Sequence, residues 1–184
     1  MYSDSFRRVA LACAIALFAV APAGAKVLVT VEEALASAFP GCDISRETVF
    51  LTEQELSAAA ELAGEAVDRP LTVRYLARRE GSLVGVAYFD VHRVRTLEET
   101  LLVVVTPDGS VGRVEVVSFD EPLDYLPREG WYRQFDGRPL DDDLDLDRAI
   151  RSVSGATLTA IAATAATRRM LAVHRVLDRR EAAP

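Results

Sequence analysis

The chain has 184 residues, half of them hydrophobic and 27% charged, with a formal net charge of −7. That length and apolar content allow one domain with a real core and exclude wholesale disorder. The surplus of acids excludes nucleic acid as a natural partner, and Lys26 is the only lysine among the bases.

The first elements concern targeting. Arg7 and Arg8 precede an apolar run over residues 9–20, and Ala23-Gly24-Ala25 supplies small residues for cleavage. The pattern predicts a signal peptide over residues 1–25 and export to the periplasm or another extracytoplasmic space. The competing reading is an uncleaved anchor holding the protein at a membrane, although the run falls short of the ~20 residues a span needs. Cys13 lies inside this segment, so Cys42 is the only cysteine left and no internal disulfide can form. A single domain over residues 26–178 is expected to follow, with a short tail over 179–184.

Helical spacing of Val31, Leu35, Ala38 and Phe39 predicts a helix over residues 31–39, ended by Pro40-Gly41. A second helix is predicted over residues 52–63. Thr52 and Glu55 form a capping-box pattern at its start, and Gly64 suits its end. Strands are predicted over residues 71–78, 83–91, 101–105 and 111–117, with turns at Glu80-Gly81 and Pro107-Asp108-Gly109. The unbroken apolar run at 101–105 reads as a central strand. Residues 119–147 are irregular and hold the only Trp. A long helix over residues 158–177 closes the chain, with Ala162, Ala166, Met170, Val173 and Leu177 as its apolar stripe. Thr164, Thr167, Arg168, Arg175 and Asp178 are expected on its polar side, and His174 on the surface. The fold class is therefore α+β: an antiparallel sheet of about four strands packed with helices.

Chemistry concentrates at Ser154-Gly155-Ala156-Thr157. Small, turn-forming residues deliver a threonine hydroxyl to the start of the last helix. Backbone N–H groups there lack partners and the helix dipole favours an anion. Gly155 lets a ligand approach the backbone closely. The same residues also suit an ordinary helix capped by Ser154.

Extended to Leu158-Thr159, the string resembles the flavinylation motif of the FMN-binding domain family. That family includes the flavin subunits of the Rnf and sodium-pumping NADH:quinone oxidoreductase complexes. Glu121-Pro122, Gly130-Trp131 and Gln134-Phe135-Asp136-Gly137-Arg138 resemble the family's loop with its acidic residue, Trp and Gln-Phe-x-Gly-Lys. The resemblance spans roughly residues 79–173. It implies FMN as cofactor, joined as a phosphoester to Thr157 by a flavin transferase. Ser154, Gly155, Ala156 and the backbone at Leu158 and Thr159 would cradle the phosphate, with Trp131, Tyr132 and Phe135 as a wall beside the isoalloxazine. The chain departs from the family at Arg151, where the motif usually has Asp; the nearest upstream acid is Asp147. Arg151 suits bidentate contact with a phosphate, or stands as a solvated charge.

Two further constellations stand apart from that motif. His92, Arg93 and Arg95 form a basic cluster that suits a phosphate, a quinone or a partner protein, or else simply a polar strand end. Alternation puts His92, Val94 and Thr96 on one face and Arg93 and Arg95 on the other. Asp143, Asp145 and Asp147 begin like a calcium loop, but Arg148 stands where Gly is required and Ser154 where Glu is required, which leaves a solvated acidic loop. No Gly-x-Ser-x-Gly elbow and no metal-ligand spacing occurs. The expected function is an exported FMN electron carrier or subunit of an oxidoreductase complex, with redox partner proteins, a membrane electron-transfer complex being one option. Its alternatives are a noncovalent FMN-binding reductase and a flavin-free periplasmic interaction or sensor domain.

Overall fold

Alternating apolar residues in the middle of the chain assemble, in the computed structural model, into an antiparallel sheet of six strands. The structure describes residues 26–183, so the expected signal peptide lies outside the described residues. The strands are β1 (Lys26–Val27), β2 (Asp43–Phe50), β3 (Leu71–Arg79), β4 (Ser82–Arg93), β5 (Glu98–Val105) and β6 (Val111–Phe119), in the spatial order β1-β6-β5-β4-β3-β2. The helices are α1 (Val31–Ala38), α2 (Glu53–Ala63), the single turn α3 (Glu129–Tyr132) and α4 (Thr157–Ala182). The α+β class and the long final helix are as the sequence predicts.

Both faces of the sheet are covered. On one, Leu76, Val86, Tyr88, Leu101, Val103 and Val105 pack beneath α2 and α4. On the other, a smaller cluster joins Ala77, Ala87, Leu102 and Val104 to Ala34, Leu35 and Phe39 of α1 and its end. β5 is buried on both sides, which accounts for its unbroken apolar run. The β3–β4 hairpin turns on Glu80 and Gly81, with φ of 51° and 81°, the pair of positive dihedrals that matches strand twist.

The caps of α2 form as its sequence requires. Thr52 Oγ1 accepts from the Glu55 N–H at 3.2 Å, Glu55 Oε2 accepts from the Thr52 N–H at 2.8 Å, and Gly64 closes the helix in the left-handed region. Thr52→Ala removes one of these bonds and unsettles the other. We expect a loss of about 1 kcal/mol, seen as a fall in Tm of about 3 °C.

Four expectations are corrected. β2 falls where no strand is predicted, because seven of its eight residues lie outside the core and only Val49 is buried, so no apolar alternation marks it. Thr164 and Thr167 are buried rather than on the polar side of α4. Each satisfies its hydroxyl by donating to the carbonyl four residues back, Ala160 and Ala163, at 2.8 Å. His174 is not a surface residue either: its Nδ1 meets the Tyr88 hydroxyl at 2.9 Å between α4 and β4. Burial holds the His174 imidazole below its ordinary pKa, so the ring paired with the Tyr88 hydroxyl is neutral. α4 also runs on to Ala182, so most of the expected tail is helix.

Candidate functional site

The start of α4 is open by construction. Its cap residue is Ala156, at φ −127° and ψ 30°, and no side chain caps the helix. Ser154, which suits a cap by sequence, is exposed and makes no such bond. The first helical bond is Ala160 N–H to Ala156 O at 3.0 Å, and the N–H groups of Thr157, Leu158 and Thr159 meet no acceptor among the described residues. Gly155 turns the chain into the helix at φ 87°, a dihedral that favours glycine, and faces open space. Thr157 is exposed, and its hydroxyl donates only to Val153 O at 3.2 Å. Thr159 is fully buried, and its hydroxyl donates to Tyr125 O at 2.6 Å, pinning α4 to the 3-10 turn Leu123–Tyr125. Its side chain is committed to the fold, leaving only its N–H free for a ligand.

A cleft of about 190 Å³ lies in front of these groups, walled by residues 155–159 on one side and by Arg95 and Tyr125 on the other. The Arg95 guanidinium sits over the Tyr125 ring, 5.1 Å from its centre, and its charge adds to the positive end of the helix dipole. Alternation places Arg95 on the face opposite His92, but nothing local in the sequence shows that the β4–β5 turn folds back to α4.

Glu121 sets that turn. Buried below it, the carboxylate accepts from the Thr96 N–H at 2.8 Å, the Leu97 N–H at 3.0 Å and the Thr96 hydroxyl at 3.2 Å. The two backbone donors hold its pKa below the ordinary carboxylate value. Glu121 thus reaches the cleft through Arg95 and does not line it. Glu121→Ala is expected to speed amide hydrogen exchange at Thr96 and Leu97 while leaving β5 protected, measured residue by residue.

Trp131 and Gln134 act on the approach to α4. Trp131 Nε1 donates to Arg151 O at 2.7 Å, and Gln134 Oε1 accepts from the Arg151 N–H at 3.0 Å. The Trp131 ring stands edge-on to Tyr132 and Phe135, at 5.0 and 5.4 Å. These rings pack over the sheet and none lines the cleft. The loop therefore grips the backbone three residues ahead of Ser154, and the Arg151 side chain is exposed and outside the cleft.

His92 is also elsewhere. Its Nδ1 bonds Asp90 Oδ1 at 2.9 Å and its Nε2 bonds Glu99 Oε2 at 3.0 Å, so neither nitrogen is free for a phosphate. Arg169 of α4 reaches the same Asp90 with two bonds, at 2.8 and 3.0 Å, and also pairs with Glu65. Burial alone pushes the His92 pKa down, but the two carboxylates outweigh it and raise it to about 9. The imidazolium is therefore charged at neutral pH. The Asp90 carboxyl is pushed up by burial, yet His92 and Arg169 bring it below its usual value. The acidic loop folds on itself: Asp141 Oδ1 accepts from the N–H groups of Asp143 and Leu144, both at 3.0 Å.

No family model, curated protein or solved structure matches the chain. Among the described residues, no helix is long and apolar enough to cross a membrane. The start of α4 thus presents unpaired backbone N–H groups and an exposed threonine hydroxyl beside a small cleft.

Proposed function

We propose that this protein is an exported FMN-binding electron carrier, with the flavin phosphate at the start of α4 and a phosphoester to Thr157 Oγ1. The observation that carries the reading is the set of three N–H groups, at Thr157, Leu158 and Thr159, that meet no acceptor beside an exposed threonine hydroxyl. A phosphate satisfies those donors and the helix dipole together. The sequence resemblance to the FMN-binding domain family names which phosphate.

The fit of the residues supports this. The three N–H groups would hold phosphate oxygens, Arg95 would neutralise charge from the opposite wall, and Gly155 leaves room at the backbone. Leu158 and Ile161, both 48% exposed, together with Leu123 at 46%, offer apolar surface close to the cleft. Bound FMN supplies the electron chemistry, and the chain's residues anchor it and shield part of it. No catalytic base is needed for that task. A flavin transferase would attach the group, and redox partner proteins, within a membrane electron-transfer complex, would exchange electrons with it. Away from the cytosolic flavin supply, a covalent tether prevents loss by dissociation.

The test is a visible spectrum together with intact mass on protein from its native host. Flavin absorbance and an FMN-sized mass addition are expected. Arg151, at the motif position where the family has Asp, favours a second reading in which FMN binds without the ester. Flavin that leaves on denaturation would select that reading. A colourless chain of unmodified mass, even beside a flavin transferase, would select a flavin-free interaction or sensor domain.

A further inference from the structure

The ladder between β3 and β4 stops early. Its last pair is Arg74 with Tyr88. Beyond it, Leu71–Val73 of β3 pair only with β2, and residues 89–93 of β4 pair only with β5. The two strands therefore diverge, and each turns an open edge into the gap. In an antiparallel strand every second residue directs its N–H and C=O to the same side. Alternate backbone groups on both walls thus lack a strand partner, and no side chain among the described residues bonds to them.

A cleft of about 290 Å³ occupies this split. α4 covers it with Met170 and Val173, and Asp90, His92 and Arg169 also line it. Arg169 joins Asp90 of β4 to Glu65, which precedes β3, so side chains bridge the gap where backbone bonds cease. Nothing in the two open segments forbids pairing. Neither contains Pro or Gly, and Thr72, Val73, Phe89 and Val91 are good strand formers. Charges of both signs line the cleft, Arg69, His92 and Arg169 with Asp68 and Asp90, and Glu65 and Glu99 pair with two of the cations, so neither sign dominates what enters it. What is left unanswered is a row of amide donors and carbonyl acceptors at strand spacing, between walls of mixed polar and apolar side chains.

We propose that the split between β3 and β4 is a binding site for an extended peptide segment, which pairs with the open edges of both strands. Three residues of β3 and five of β4 border the gap, so a segment of that length is engaged. Alternate peptide side chains face α4 and the opposite side of the sheet. None of residues 155–159 lines this cleft, so the site stands or falls independently of the flavin reading.

The probe is the uncharged tripeptide N-acetyl-Val-Thr-Val-amide, added to the purified 15N-labelled protein. Amide resonances of residues 71–73 and 89–93 are expected to shift in a saturable, millimolar titration, and their hydrogen exchange to slow. The same peptide methylated on its Thr and second Val nitrogens keeps its side chains but loses strand donors, and should bind at least about tenfold more weakly. Three results would overturn the proposal: no shift at 10 mM peptide, equal binding of the methylated peptide, or shifts centred elsewhere. Equal binding would show a crevice that does not read the peptide backbone.

Discussion

Thr157→Ala is expected to abolish the FMN-sized mass addition completely and to leave the denatured protein free of flavin colour. Thr157→Ser should restore both in part, because it keeps the hydroxyl at the same helix position. The substitution tests chemistry and not folding. Thr157 is exposed, and its side chain makes one bond, to Val153 O at 3.2 Å. Stability should therefore change by no more than about 0.5 kcal/mol, within about 2 °C in Tm. Intact mass before and after denaturation, in a host that carries a flavin transferase, checks the prediction. Flavin unchanged in amount and in resistance to denaturation would place the attachment elsewhere.

His92→Leu is expected to be the most destabilising single change away from the apolar core. Glu99 has no exposed surface, and its partners are His92 and the Tyr132 hydroxyl at 3.4 Å. Removing the imidazolium leaves a buried carboxylate without a counter-charge, a loss of about 3–5 kcal/mol. For a domain of this size that is a fall in Tm of roughly 10 °C. Adding Glu99→Leu should recover much of it, since removing both charges avoids the stranded one. The coupling is then read from the double-mutant cycle. pH gives a second signature. His92 titrates at 6.5 when unfolded and at about 9 when folded, so its contribution is complete below pH 6.5 and declines to nothing as pH rises through about 9. Asp90 has the opposite sign: its folded pKa is lowered, so its contribution is present above the ordinary carboxylate pKa and lost as pH falls through the lower, folded one. The wild-type protein should lose stability between pH 6.5 and 9, and His92→Leu should flatten that limb in thermal melts at stepped pH.

These cases show where sequence is informative and where it is silent. Thr52, Glu55 and Gly64 act within one helix, so their roles can be read locally, as can the buried run of β5. β2 carries the opposite signal. An edge strand exposes most of its side chains, so Asp43, Arg46 and Glu47 read as loop although the backbone pairs along its whole length with β3. The cradle at Gly155 and Thr157 is local and therefore visible. Its opposite wall is not, since Arg95 arrives from 60 residues upstream through a turn held by Glu121. Buried charge is the hardest to foresee. Asp90, His92 and Glu99 look like the polar end of a hairpin, and only the arrival of Arg169 from α4 makes their burial tolerable.

The extension of α4 to Ala182 has a practical side. Arg74 is buried, and it is neutralised by Glu47 and by Glu181, two residues short of the end of the described chain. Arg180 meets Phe50 O at 3.2 Å, on the sheet's edge strand. The last turn of the helix is thus a clasp on β2 and β3, at the opposite end of α4 from Thr157. Trimming the chain at Arg179 for expression would undo that clasp and leave the buried Arg74 guanidinium with Glu47 in place of two carboxylates, and a bulky C-terminal tag would crowd it.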